Sequence, residues 1–273
     1  MDISIENFLS SHPYAETTKR TYLDILKRLI NHEPDTLTAQ TLLDFINSQN
    51  WGNSRSCVAL AASQKYLSWA YGNSHPSLTA KIKRVTGKPQ RALTSDTARL
   101  LLASFDPYTP KGSRDLAIAT LALDTGLRCS ELCRLLQSDT NTQQRVLQVI
   151  VKGGQWEAAV FSDETAAHID RWNEFRKNLH PKGELFCNIL TGNKLTSNGL
   201  NSTIKIWGQN IGIKLSPHDL RRSFAVISTE NGAPERVLMA GGRWTNSQMI
   251  QRYTRTLKLD TMRKYLPVHS LII

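Results

Sequence analysis

SPHDLRRSFAVISTENGAPERVLMAGGRWTNSQMIQRYTR, from Ser216 to Arg255, is the stretch on which the reading of this chain turns. Its opening has the marks of a helix start. Ser216 can cap, Pro217 suits the first helical position, and Asp219 favours the positive end of the helix dipole. Leu220, Phe224 and Ile227 recur at helical spacing and predict a face turned to a core. His218 and Arg221 lie three apart and share a neighbouring face, with Arg222 beside them. An imidazole and two guanidinium groups exposed at a helix start form an anion site. Trp244 and Tyr253 follow, nine residues apart, and Arg252 and Arg255 flank the tyrosine. Phosphate chemistry is what these groups have in common, although His218 alone reads as structural and Trp244 or Tyr253 alone as a packed aromatic.

Upstream, TGLRCSELCRL places Arg128 and Glu131 three apart at a predicted helix, where the carboxylate can hold the guanidinium fork. Gly126 suits the stop of the preceding apolar helix, expected to begin near Ser113. Between Arg145 and Phe161 the period becomes that of strands, and Gly153-Gly154 predicts a hairpin with Lys152 at the rim of its turn. Residues 162–215 predict one helix, Ala166 to Leu179, then a Gly/Asn-rich loop around Gly192 and Asn193.

Residues 1 to about 72 read as a helical module. Tyr22, Ile25, Leu26, Leu29 and Ile30 form one buried face; further helices follow Thr38 and start near Ser54. From Gly72 to Ser95, Pro76, Gly87 and Pro89 interrupt regular structure. Lys81, Lys83, Arg84, Lys88 and Arg91 accumulate there with no acidic residue before Asp96, as in a solvated run or a linker crossing nucleic-acid phosphates. A domain boundary is expected at that linker, dividing 1–87 from 88–273. Helical order restarts at RALTSDTARLLLASF, capped by Thr94 or Ser95.

The 273 residues carry 34 Lys plus Arg against 23 Asp plus Glu, a net +11 that favours a polyanionic partner. No apolar run approaches the roughly 20 residues of a spanning helix, and MDISIENF is not a signal peptide. Cys57, Cys129, Cys133 and Cys187 show no CxxC spacing. Cys129 and Cys133, four apart, lack further nearby metal ligands, so buried or half-buried thiols in a reducing cytoplasm are expected.

TGLRCSEL, HDLRRSF, the Trp-Thr-Asn and the Tyr-Thr-Arg occur in the order of the tyrosine recombinase (integrase) family, which the chain resembles over nearly its whole length and most closely from Thr125 to Arg255. TTKRTYLDILKRL is similar to the first helix of that family's core-binding domain, and VKGGQ to its lysine-bearing hairpin. The resemblance implies a mainly α fold with a small β-sheet. It would be a two-domain DNA clamp: a helical SAM-like core-binding domain and a mixed α/β catalytic domain with a C-terminal exchange tail. It implies site-specific recombination of double-stranded DNA, by a monomer or dimer that assembles as a tetramer on two duplexes, in the cytoplasm and at the nucleoid. A simple Xer-like or Cre-like member is expected, with no arm-site domain ahead of the first helix.

The resemblance makes Tyr253 the nucleophile, Arg128 and Arg221 the phosphate ligands, and Lys152 the acid for the departing 5′ oxygen. His218 and Trp244 complete that set, Glu131 supports Arg128, and neither cofactor nor metal is required. Chemically the set is coherent. A tyrosine hydroxyl titrates near ~10 and needs help to lose its proton. Guanidinium groups bind charge developing on non-bridging oxygens, and an indole N–H donates without transferring protons. DNA contacts are expected from Lys81, Lys83, Arg84, Lys88, Arg91, Arg222 and Arg243. Two departures stand out. The usual Leu-Gly-His is Gly242-Arg243-Trp244 here, with Trp as in Cre-like members, and the second hairpin lysine is missing at Gln155-Trp156. A type IB topoisomerase-like nicking-closing enzyme and a non-catalytic DNA-binding accessory protein are the alternative readings. In the tail, Leu259, Met262 and Leu266 form an apolar stripe, which the resemblance would dock on a neighbouring subunit.

Overall fold

A computed structural model describes residues 4–85, 91–151, 154–179, 182–244, 246–247 and 250. Lys88, Lys152, Tyr253 and the tail from Leu257 onward therefore lie outside the described residues. The chain divides into two compact units, Met1–Gly87 and Lys88–Ile273. Among the described residues no helix is long and apolar enough to cross a membrane.

The first unit is helical: α1 (Ile5–Ser10), α2 (Glu16–Leu29), α3 (Ala39–Ser48) and α4 (Asn53–Tyr71). The short α1 was not anticipated; Ser4 caps it, and Phe8 and Leu9 bury into the core. Thr38 and Thr41 cap α3 reciprocally, and Gly72 ends α4 at φ 91°, a backbone open to glycine. Tyr22, Ile25, Leu26 and Leu29 are buried with Leu42, Ile46 and Leu67. Ile30, expected on that face, is 43% exposed. The chain tightens into a 3₁₀ turn there (Ile30–His32), so the spacing no longer returns it to the core. Lys81, Lys83 and Arg84 are exposed. Their extended segment is tied to the start of α4, where Asn53 donates to the Lys83 carbonyl (3.0 Å) and accepts from the Val85 N–H (2.9 Å).

The second unit contains α5 (Ser95–Ala103), α6 (Pro110–Thr125), α7 (Cys129–Leu132), β1 (Thr140–Asn141), β2 (Val146–Ile150), β3 (Trp156–Val160), α8 (Asp163–Arg176), α9 (Ser197–Asn210), α10 (Pro217–Glu230) and α11 (Glu235–Gly242). It is mostly helical with one small antiparallel sheet of order β1-β2-β3, in which Val146 faces Val160 and Ile150 faces Trp156. Leu147, Val149 and Ala159 turn inward and the alternate residues outward. Helix α6 is central, buried from Ser113 through Ala122, with α8 and α10 against it. It begins earlier than expected, at Pro110 behind the cap Thr109, because Pro at the first position needs no N–H partner. Likewise α8 begins at Asp163 behind Ser162, not at Ala166, and passes into a 3₁₀ turn over Lys177–Leu179.

Helix α9 was not anticipated at all, yet it buries Leu200, Ile204 and Trp207. Trp207 donates to the buried Asp115 carboxylate (2.9 Å), which also holds Arg114 (2.6 Å). At the other end of the unit's sequence, the Leu93 N–H donates to Ser223 Oγ at 2.7 Å, fastening the segment before α5 to α10.

Candidate active site

Helix α10 starts as its sequence requires. Ser216 accepts from the Asp219 N–H, Pro217 occupies the first turn, and the Ser216 hydroxyl donates to the Asp219 carboxylate at 2.7 Å. Asp219 does more than complement the dipole. It is 2% exposed and takes Arg222 at 3.0 Å and Arg91 at 3.9 Å. Two cations assigned to DNA thus share one buried carboxylate. The side chain of Arg91 stays largely exposed while that of Arg222 is mostly covered.

Arg221 departs from expectation. It is 4% exposed, not presented on the open face with His218. Its guanidinium donates to the Gly126 carbonyl and, at 2.6 Å, to the Gly242 carbonyl. It also lies 4.8 Å over the ring of Trp244, itself buried and tilted against Phe224 at 5.9 Å. Those carbonyls end α6 and α11, where the last turns leave acceptors unsatisfied and a cation is favoured. Gly126 closes α6 in the left-handed region (φ 59°), and a Cβ there would fall 2.6 Å from Phe224. The ring of Trp244 folds back over Gly242, leaving no room for a side chain.

Arg128 sits just past that turn, as the N-cap of α7 and not within it. Glu131, 4% exposed at its side chain, accepts from the Arg128 N–H (2.8 Å) and from its guanidinium (2.6 Å). One carboxylate therefore fixes both the backbone entry and the fork, and the Arg128 side chain keeps 36% of its surface open. Cys129 donates to the Ser197 carbonyl at 3.4 Å, linking α7 to α9, and burial helps push the neighbouring Cys133 thiol up after its bond to Cys129. Among the described residues no group of three His, Cys, Asp or Glu side chains gathers as a metal site.

His218 meets solvent at the start of α10. Partial desolvation of its ring, then the Arg222 and Arg221 guanidiniums, lower its pKa; Asp219 opposes them and Arg128 adds to the lowering. A ring so biased is neutral at pH 7 and can accept a proton.

Arg243, expected as a DNA contact, turns inward. Its guanidinium donates to the Gly241 carbonyl and to the Thr125 carbonyl, each at 2.8 Å. Burial lowers its pKa, with Glu131 and Glu157 opposing. Sequence reasoning did not find this role; the one local signal was a long cation directly after a Gly-Gly helix end.

Residues 91–259 match the model of the phage integrase family. The chain is 27% identical over 263 residues to the tyrosine recombinase XerD of Listeria innocua, covering 91% of this chain and 88% of that protein. Its fold is similar to the Tn1549 transposon integrase in complex with transposon right end DNA (TM-score 0.76, 14% identity, 96% of this chain and 98% of the other). It is also similar to the XerH site-specific recombinase in a post-cleavage complex with palindromic difH substrate (TM-score 0.75, 17% identity, 91% and 79%).

Proposed function

This chain belongs to the phage integrase family, and from that premise we propose that it is a site-specific DNA recombinase working through a 3′-phosphotyrosyl intermediate on Tyr253. The observation that supports the reading is that Arg128 is braced by Glu131 while Arg221 bonds the Gly126 carbonyl, two residues before Arg128. His218 is exposed on the helix that carries Arg221, and desolvation followed by the neighbouring guanidiniums lowers its pKa, which favours the neutral ring. Such a set fits one phosphodiester. Guanidiniums bind the non-bridging oxygens, where negative charge accumulates, and one preorganised donor is worth about 3–4 kcal/mol of transition-state stabilisation. Tyr253 Oη attacks phosphorus, its proton passing toward His218, while the bond to the 5′ oxygen breaks and Lys152 protonates that leaving group. The 5′-hydroxyl of a partner duplex then reverses the step and releases tyrosine.

In this reading the unit Met1–Gly87 is the SAM-like core-binding domain and Lys88–Ile273 the catalytic domain. The exposed Lys81, Lys83, Arg84 and Arg91, with Lys88, track DNA phosphates. Assembly is a tetramer on two duplexes, with the tail docking in trans.

The test uses genomic fragments selected for binding by the Tyr253→Phe protein, rebuilt as nicked duplexes. The parent chain forms a denaturation-resistant DNA adduct in excess chelator, and Tyr253→Phe binds equally but forms none. An adduct with Tyr253→Phe, or one that needs magnesium, would overturn the mechanism. Religation without exchange between two labelled duplexes would make the protein a nicking-closing enzyme.

A further inference from the structure

Two arginines join the same two helix ends. Arg221 bonds the carbonyls of Gly126 and Gly242; Arg243 bonds those of Thr125 and Gly241. Consecutive acceptors at the end of α6 are thus paired, one by one, with consecutive acceptors at the end of α11. A planar fork sets its donors wide enough apart to serve two separated carbonyls in one fixed geometry; a lysine ammonium offers its donors from a single point. Of the two staples, Arg221 is the one the proposed chemistry asks to serve phosphate as well. Arg243 carries no such duty.

The backbone makes this staple costly. Arg243 adopts φ 53° and ψ 49°, the left-handed region that a residue with a Cβ enters only at a steric cost. Glycine would enter it freely. A long cation held at a position shaped for glycine, half-buried and turned to protein acceptors, is accounted for by what its guanidinium does.

We propose that Arg243 is a positioning residue of the cleavage reaction: by tying Thr125 O to Gly241 O it holds the segment bearing Arg128 in register with the segment that carries Trp244 and leads to Tyr253. The inference rests on the recombinase reading for its consequence, but the tether itself does not. A DNA contact at this position would act on affinity. A positioning residue acts on the rate of covalent attachment while leaving affinity alone.

Arg243→Gly separates the two, because it relieves the backbone and removes only the tether. The variant should bind a selected duplex within about twofold of the parent and attach to a nicked duplex 10- to 100-fold more slowly in single turnover. Arg243→Lys should fall between them. Hydrogen exchange of peptides spanning 125–131 and 239–244 should accelerate at least tenfold in Arg243→Gly without DNA, a readout that holds even if the parent never attaches. Parent-like attachment in Arg243→Gly, loss of affinity matching the loss of rate, or unchanged exchange in both peptides would each overturn the proposal. Should Arg243→Gly fail to fold, Arg243→Lys carries the same comparisons.

Discussion

Replacing Gly242 by alanine tests whether the ring of Trp244 lies where the site needs it. A Cβ on residue 242 would overlap Cε3 and Cζ3 of that indole and stand 2.6 Å from its Cη2. Carbon atoms pack at about 3.5–4.0 Å, so the ring must retreat by about 1 Å or more. It has little room: it is 6% exposed, with Arg221 4.8 Å above it and Phe224 at 5.9 Å. Such overpacking costs about 1–3 kcal/mol, offset by less than about 1 kcal/mol of helix propensity at the last residue of α11. A net loss of about 1–2 kcal/mol lowers the thermal midpoint of a unit this size by roughly 2–8 °C. Circular dichroism melts of Gly242→Ala, Trp244→Ala and the double variant form a cycle. Trp244→Ala is costly alone, about 3–5 kcal/mol, but removes the obstacle, so the alanine penalty should vanish in its background. A midpoint for Gly242→Ala at or above the parent's, or an equal penalty with and without the indole, would refute the placement.

Glu131→Gln keeps an acceptor for the Arg128 N–H but removes the charge that orients the guanidinium. Discounted for the partly open arginine, the loss is about 1–2 kcal/mol, or a 5- to 30-fold slower single-turnover attachment; a rate within twofold of the parent would show that Arg128 needs no brace. His218 predicts a pH effect. Its folded pKa lies below the ordinary value near 6.5, so below about pH 6.5 the unfolded chain takes up a proton that the folded chain does not. Stability from this group is therefore present at pH 7 and declines as pH falls through 6.5 toward the folded pKa. Urea midpoints at pH 7.0 and 5.5, at low salt, should fall further for the parent than for His218→Gln; an equal or larger fall in the variant contradicts the assignment.

What could be read in the sequence was local. Ser216-Pro217 and the 220–224–227 spacing specify α10 within a few turns, Gly126 specifies a helix stop, and Arg128 and Glu131 meet three residues apart. What could not be read depends on distant chain. Arg221 was expected to be open as a cation beside His218 at a helix start, but its partners are carbonyls 95 and 21 residues away. Arg243 was expected to contact DNA, but its partners are the Gly241 carbonyl and the Thr125 carbonyl 118 residues away. Helix α9 escaped because SNGLNSTIKIWGQN is rich in Ser, Asn and Gly, poor helix formers, and is held by burial of Leu200, Ile204 and Trp207. Strand β1, two residues long, has no period to detect and exists through its pairing with β2.

The bond from the Leu93 N–H to Ser223 Oγ spans 130 residues, and it sets an order of events in the folding of the chain. Among the described residues the core of Met1–Gly87 is built from that unit's own helices, so the unit can form while the ribosome is still making the rest. The segment at Leu93 has no such option: its partner on α10 is synthesised 130 residues later. At about 5–20 residues per second, the start of the second unit waits on the order of ten seconds with an apolar side chain and an N–H unmet. Closure then pays the loop entropy of a long intervening chain before any contact rewards it. The two units should accordingly refold with separate rates, the N-terminal one faster, and destabilising α10 should slow the second unit alone.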